Sequence, residues 1–185
     1  MLGFYLAQTY LQYYLADVVR SFQALGRTLT EAPFQAVALL GLLISLGAAL
    51  ASVPAGRASD RLGRKPLIYL SGAGLGLLMP FLLLFPRYDL LLALALVFGL
   101  FYGVYLAVDW ALVADVLKDP EAHATDMGLW QTAIVVPQVL AGAFGRPLDL
   151  LNAQTPGLGY QVLYLLAALF FLLGAFGVAG VRRSR

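Results

Sequence analysis

Gly56-Arg57-Ala58-Ser59-Asp60-Arg61-Leu62-Gly63-Arg64-Lys65-Pro66 stands between two long apolar runs. Four cations and one acid are packed into this short segment, while the runs at 34–55 and 66–86 on either side carry no charge. That contrast predicts a tight charged turn joining two helices whose solvent is lipid. Gly56 permits close approach of helices, Asp60 can accept from backbone amides at a helix start or pair with a nearby arginine, and Gly63 allows a reversal that a β-carbon would resist. Arg61, Arg64 and Lys65 hold the segment at one membrane face and can bind acidic groups or helix C-termini; the plainer reading makes them positive anchors with no further purpose.

Working outward, apolar runs recur at 3–19, 34–55, 66–86, 90–114, 128–148 and 159–181, separated by short charged segments. At a rise of ~1.5 Å per residue such runs cross a hydrocarbon core of about 30 Å, the first one barely. The expected fold is therefore all-α: a polytopic membrane protein of six transmembrane helices, with residues 1–185 forming a single transmembrane domain. Composition agrees, since 61% of residues are hydrophobic and only 12% charged, too few to cover the outside of a water-soluble domain of this length. The start, Met1-Leu2-Gly3-Phe4, has no basic region and no small-residue cleavage site after its apolar run, so it reads as the first span of a helix begun part-way and not as a removable signal.

Orientation follows from the basic residues. Arg57, Arg61, Arg64, Lys65, Lys118, Arg182, Arg183 and Arg185 fall on one side, against Arg20, Arg27, Arg87 and Arg146 on the other, which predicts an inner or plasma membrane protein with both termini cytoplasmic. A net charge of +2 with the cations in short loops gives no stripe for nucleic acid, and the absence of cysteine removes disulfides, thiolate metal sites and a thiol nucleophile. No cofactor and no metal site is expected.

Glycines within the spans pair at helical spacing. Gly72 with Gly76, and Gly99 with Gly103, each place two residues without side chains on one face, a signal for close helix packing or for a surface that slides during conformational change. Gly72-x-Gly74-x-Gly76 lies inside an apolar helix with no strand before it, so a dinucleotide loop is rejected.

The charged segment resembles the signature loop of the major facilitator superfamily, G-x-x-x-D-R-x-G-R-[RK], at every fixed position: Gly56, Asp60, Arg61, Gly63, Arg64 and Lys65. In that family the loop follows the second helix of a six-helix half, as it follows the second span here. Asp109-Trp110-Ala111-Leu112-Val113-Ala114-Asp115-Val116-Leu117, then Met127-Gly128-Leu129-Trp130 and Pro137-Gln138-Val139, look like the tenth and eleventh helices of the sugar/cation symporter branch that includes sucrose-transporter relatives, and Gln12-Tyr13-Tyr14-Leu15-Ala16-Asp17 extends the likeness to the first span. The resemblance implies a C-terminal half, helices seven to twelve, organised as a 3+3 repeat. It further implies a conformational gate at the signature loop and a substrate held between two six-helix halves that rock about it. Its partners would be the lipid bilayer, a small-molecule solute, a proton or sodium ion, and a second six-helix half or a second copy.

Intramembrane polar side chains are costly in lipid and face a bundle interior or an aqueous cavity. On the first span Tyr5, Gln8 and Gln12 share one face, and Tyr10, Tyr13, Tyr14 and Asp17 form a second polar-aromatic stripe toward the far end. Phe98, Tyr102, Tyr105 and Asp109 line up on the fourth span, and Gln131 and Gln138 lie two turns apart on the fifth. Gln8, Gln12, Tyr102, Tyr105, Gln131 and Gln138 are the expected substrate pathway, offering the aromatic faces and paired hydrogen-bonding groups that hold a neutral polyol or sugar. The alternative is an interfacial belt of tyrosines and glutamines that act as packing glue.

Asp109 is the one acid well inside a span. A carboxylate that alternates between wet and dry surroundings takes up and releases a proton, which couples transport to a gradient. The competing role is a gate, in which Asp109 or Asp115 holds helix ends to Arg61 or Arg64 in one state and releases them in the other. The stretch Lys118–Asp126 with His123 reads as a solvated loop. Two functions follow, a transporter half working with a partner, or a truncated, non-transporting scaffold; a membrane enzyme finds no H-E-x-x-H or G-x-S-x-G to support it.

Overall fold

The computed structural model describes the backbone of residues 1–116 and 123–177 and the side chains of 1–111 and 124–177. Along the chain run helix α1 (Leu2–Tyr14), which continues as a π-helical turn (Leu15–Val19), a hairpin of β1 (Phe22–Ala24) and β2 (Arg27–Thr30), then α2 (Pro33–Leu62), α3 (Arg64–Leu84), α4 (Tyr88–Val116), α5 (His123–Gly142), α6 (Gly145–Gln154) and α7 (Leu158–Gly177). Five stretches are long and apolar enough to cross a membrane: α2, α3, α4 as far as Ala111, the combined α5–α6 stretch from Ala124 to Gln154, and α7. With its π turn, α1 supplies a shorter sixth. The molecule is thus the polytopic helical bundle that the hydropathy pattern implies.

The reversal between α2 and α3 is tighter than expected. Nothing in Gly56–Leu62 breaks a helix, so α2 carries the charged residues out on its last turns and the chain turns at Gly63 alone, with α3 beginning at Arg64. Gly63 sits at φ 84°, ψ 166°, a conformation essentially reserved for glycine, and its N–H reaches Ser59 O at 3.0 Å. Gly56, expected at a close approach, has open space around it.

Close approach is found elsewhere. A β-carbon on Gly99 would lie 2.3 Å from Ile44 O, one on Gly103 2.4 Å from Ala48 O, and one on Gly47 2.5 Å from Leu96 O, so α2 and α4 meet backbone to backbone. Gly72 and Gly76 make room on α3 for side chains of α7, since added β-carbons would meet Ala175 Cβ at 2.6 Å and Leu172 Cγ at 3.0 Å. Most helix contacts follow one rule: exchanging α1, α2 and α3 for α4, α5–α6 and α7 turns the α2–α4 contact into α5–α1, α3–α4 into α7–α1, and α2–α3 into α6–α7, while α3–α7 maps on itself. This is the pattern of a three-helix repeat.

Three local features fall outside the helical pattern. Past Thr30, whose Oγ1 accepts from Ala32 N–H at 3.1 Å, Pro33 opens α2 where its missing N–H costs nothing. The hairpin before it turns through Leu25 (φ 52°) and Gly26 (φ 75°). It caps one end of the bundle by placing Phe22 against the Tyr88 ring at 5.3 Å, and the Tyr88 hydroxyl donates to Ala36 O at 2.9 Å. The fifth span breaks at Ala143–Phe144, where the Tyr10 hydroxyl of α1 points its one proton between Ala141 O (3.0 Å), which also accepts the Phe144 N–H, and Gly142 O (3.1 Å).

Around the buried core, which includes Leu6, Tyr14, Leu15, Leu75, Leu91 and Tyr164, leucines and phenylalanines point outward. Leu42, Leu46 and Leu50 on α2 and Leu165, Leu169 and Leu173 on α7 are exposed at one-turn intervals, the stripe expected of a surface bathed in lipid.

Candidate functional site

At the end of the bundle that holds the charged turn, a cavity of about 110 Å³ opens between α1, α3, α4 and α7. Tyr102, Tyr105 and Asp109 supply its polar wall, and Phe4, Ile68, Gly72, Phe170 and Phe171 are among the residues that supply the rest. Helical spacing does the positioning, since Tyr102, Tyr105 and Asp109 stand at successive turns of α4. Asp109 is half-buried here, with the Met1 amino group facing the same cavity and attracting its carboxylate. Beside it Trp110 meets Trp130 of α5 edge to face, with ring centroids 4.6 Å apart, so the turn carrying the acid is braced against a second helix.

A second cavity, of about 250 Å³, lies deeper among α1, α2, α3 and α4. Its lining is mostly apolar, with Gln8, Ser45, Tyr102 and Tyr164 of α7 as the polar exceptions. Phe4 and Tyr102 line both cavities, and their rings stack 4.6 Å apart and nearly parallel. The stack is therefore a two-ring partition between an acidic compartment and an amide-bearing one.

Of the residues marked in the sequence, the fold brings Tyr102, Tyr105 and Asp109 together and sets Gln8 across the Phe4–Tyr102 partition. Gln12, Gln131 and Gln138 are exposed and lie outside these two cavities. The second stripe on α1 is divided: Tyr10 caps α5, Tyr14 donates its hydroxyl to Leu82 O of α3, and Tyr13 points outward. In the charged turn Asp60 and Arg61 are exposed, while Gly63, Arg64 and Lys65 are half-buried. Leu67, Ile68 and Val108 form a small buried cluster beneath it, which joins the start of α3 to the turn of α4 that precedes Asp109. Asp115, Lys118 and His123 lie outside the described side chains. Among the described residues no group of three or more His, Cys, Asp or Glu could hold a metal ion.

Two residues at the opposite end escaped the sequence reading. Tyr160 of α7 donates its hydroxyl to the Asp17 carboxylate, and Asn152 Oδ1 accepts the Gly159 N–H at 2.8 Å. The Thr155-Pro156-Gly157 turn signal was there to be read, but not the partner it would bring to Asp17.

Membrane-crossing helices in a three-plus-three arrangement, with polar groups enclosed between them, make this an integral membrane protein. The chain belongs to the Major Facilitator Superfamily, whose family model matches residues 1–184. Members of this family are membrane transporters. No curated protein matches the chain.

Proposed function

We propose that this chain is one six-helix half of a secondary active transporter that moves a small polar solute, a sugar of the kind carried by the sugar/cation symporter branch, by alternating access. The observation that carries this reading is the compartment formed by Asp109, Tyr105 and Tyr102, closed from the Gln8 compartment by the Phe4–Tyr102 stack. A carboxylate inside a spanning helix is costly on its own and calls for a positively charged partner. Coupling follows if protonation of Asp109 and solute binding favour the same arrangement of the partition. The exposed amides Gln12, Gln131 and Gln138 would then meet the solute on the side that a second half, or a second copy, covers. The α5–α6 stretch, the least buried of the five long ones, supports such a cover.

A gate reading shares the same residues. The Gly56–Lys65 segment and Asp109 are at one end of the bundle and are linked through the Leu67–Ile68–Val108 cluster, so a change at Asp109 is within one layer of side chains of the charged turn. Uptake of labelled mono- and disaccharides into proteoliposomes, with and without an imposed pH gradient, tests the proposal. Gradient-driven accumulation that Asp109→Asn abolishes, with binding at equilibrium preserved, is the expected result. Accumulation equal in wild type and Asp109→Asn would remove the coupling role, and no uptake by well-folded protein would favour the scaffold reading, in which this unit works only with a partner half.

A further inference from the structure

At the end of the bundle remote from Asp109, a cavity of about 630 Å³ opens between the end of α1, the end of α3 and the α6–α7 junction. Its polar lining is Asp17, Arg20, Asn152, Tyr160 and Gln161, none of which belongs to the proposed solute pathway. The backbone is distorted to put the first two there. The end of α1 widens into the π turn, the Arg20 N–H closes on Leu15 O at 2.9 Å, and Arg20 itself adopts φ 61°, a left-handed conformation unusual for a residue with a β-carbon. Such local strain persists where surrounding structure holds it, and it collects at binding sites.

The individual groups show what the cavity can hold. Tyr160 steadies the Asp17 carboxylate from one side and rests edge-on against buried Tyr14, with ring centroids 5.7 Å apart. That leaves the other carboxylate lone pairs open. Arg20 spends only its Nε, on Asp17 O at 2.7 Å, and its terminal nitrogens have no protein partner among the described residues. Asn152 commits its Oδ1 to the Gly159 N–H, which leaves its side-chain amide donors. One fixed anion and one cation with free donors, side by side in an open cavity, fit a ligand that carries both charges.

The surroundings favour a lipid as its source. Leu83 and Pro86 line the cavity, and next to them Phe81 and Leu84 on the last turn of α3 and Phe85 just after it are exposed, while Val162, Leu165 and Leu169 are exposed on α7 just past Gln161. An apolar stripe thus leads from the cavity mouth along the spans, where acyl chains lie. We propose that this cavity binds the ammonium–phosphate headgroup of an aminophospholipid, with the ammonium donating to Asp17 and the phosphate accepting from Arg20.

Native mass spectrometry of the full chain with phosphatidylethanolamine, phosphatidylcholine and phosphatidylglycerol tests this, with soluble phosphoethanolamine as competitor. The primary ammonium can donate to Asp17 and the quaternary one cannot, so the ethanolamine lipid should bind roughly tenfold better than the choline lipid. Asp17→Asn should erase that preference, weakening the ethanolamine lipid about tenfold more than the choline lipid, which loses only the charge attraction. Arg20→Asn, chosen because asparagine tolerates a left-handed backbone, should weaken all three lipids by a similar factor. Equal binding of ethanolamine and choline lipids by the wild type, or a preference that survives Asp17→Asn, overturns the proposal. Should Asp17→Asn fail to fold, an Arg20→Asn protein that binds all three lipids as the wild type does overturns it equally. Full displacement of lipid by soluble phosphoethanolamine would overturn the lipid source and assign the site to a free zwitterion. None of these readouts depends on transport, so they stand or fall apart from the solute proposal.

Discussion

Replacing Gly99 with alanine tests whether the α2–α4 seam sets the packing of the bundle. The new β-carbon would meet Ile44 O at 2.3 Å and Ile44 Cα at 2.8 Å, both backbone atoms that no rotamer change can move. Restoring ordinary contact needs a helix displacement of about 1 Å, and overpacking of that kind costs about 1–3 kcal/mol. Alanine recovers up to about 1 kcal/mol of helix propensity over glycine, so the net loss should be about 1–2 kcal/mol. Gly41→Ala is the control, because Gly41 lies on α2, the other helix of the seam, with nothing within 4 Å of its added β-carbon. Reversible unfolding in mixed micelles, titrated with a denaturing detergent, should show Gly41→Ala neutral or slightly stabilised and Gly99→Ala clearly destabilised. Gly47→Ala should resemble Gly99→Ala, since its β-carbon would lie 2.5 Å from Leu96 O in the same seam. Once one alanine has pushed the helices apart the second meets less resistance, so the double variant should lose less than the two single losses together. Equal stability of Gly99→Ala and Gly41→Ala would refute the seam, and strict additivity of Gly47→Ala with Gly99→Ala would refute their sharing it.

Two further substitutions probe the joints that the helices rely on. Tyr10→Phe removes the donor to Ala141 O and Gly142 O and should cost about 1–2 kcal/mol, with amide hydrogen exchange rising around the α5–α6 break while α2 and α4 keep their protection. Gly63→Ala forces a β-carbon onto φ 84° and should destabilise by about 1 kcal/mol or more in the same titration, whereas Gly56→Ala, in open space inside α2, should not.

Hydropathy and spacing made the helices and the closest contacts legible, because a lipid solvent leaves few alternatives to a helix and because glycine pairs at one-turn spacing have one main use. Gly99 and Gly103 face α2 and Gly72 and Gly76 face α7, yet spacing alone names no partner helix. The hairpin was illegible because its turn is Leu25–Gly26 and lacks the asparagine or aspartate that marks such turns. The π turn was hidden for a different reason: five residues bonded i to i+5 have the same composition as a helix bonded i to i+4. Likewise the break after Gly142 is stabilised by a tyrosine from the first helix, a contact no local window contains. In the site, the α4 face from Tyr102 to Asp109 followed from spacing, whereas its lid, Phe4, comes from another helix. Gln131 and Gln138 illustrate the limit: spacing puts them on one face of α5, but not which way that face turns.

Helices α1 and α4 are exchanged by the three-helix repeat, and they meet at the Phe4–Tyr102 stack, but they are held in different ways. Through Gly99 and Gly103, α4 lies backbone to backbone on α2, so its position is fixed by atoms that cannot rotate away. Helix α1 has one such contact, Gly3 against Ala167 O of α7, near its start; farther along it is tied by the hydroxyls of Tyr10 and Tyr14 and ends in a π turn. Side-chain hydroxyls can exchange partners at little cost, whereas interlocked backbones cannot. Any rearrangement that opens the partition therefore meets least resistance on the α1 side, with Tyr102, Tyr105 and Asp109 carried as a fixed wall on α4. Under the proposed alternating access, the acid is thus mounted on the stiffer of the two repeat-related helices and the ring that covers it on the more yielding one.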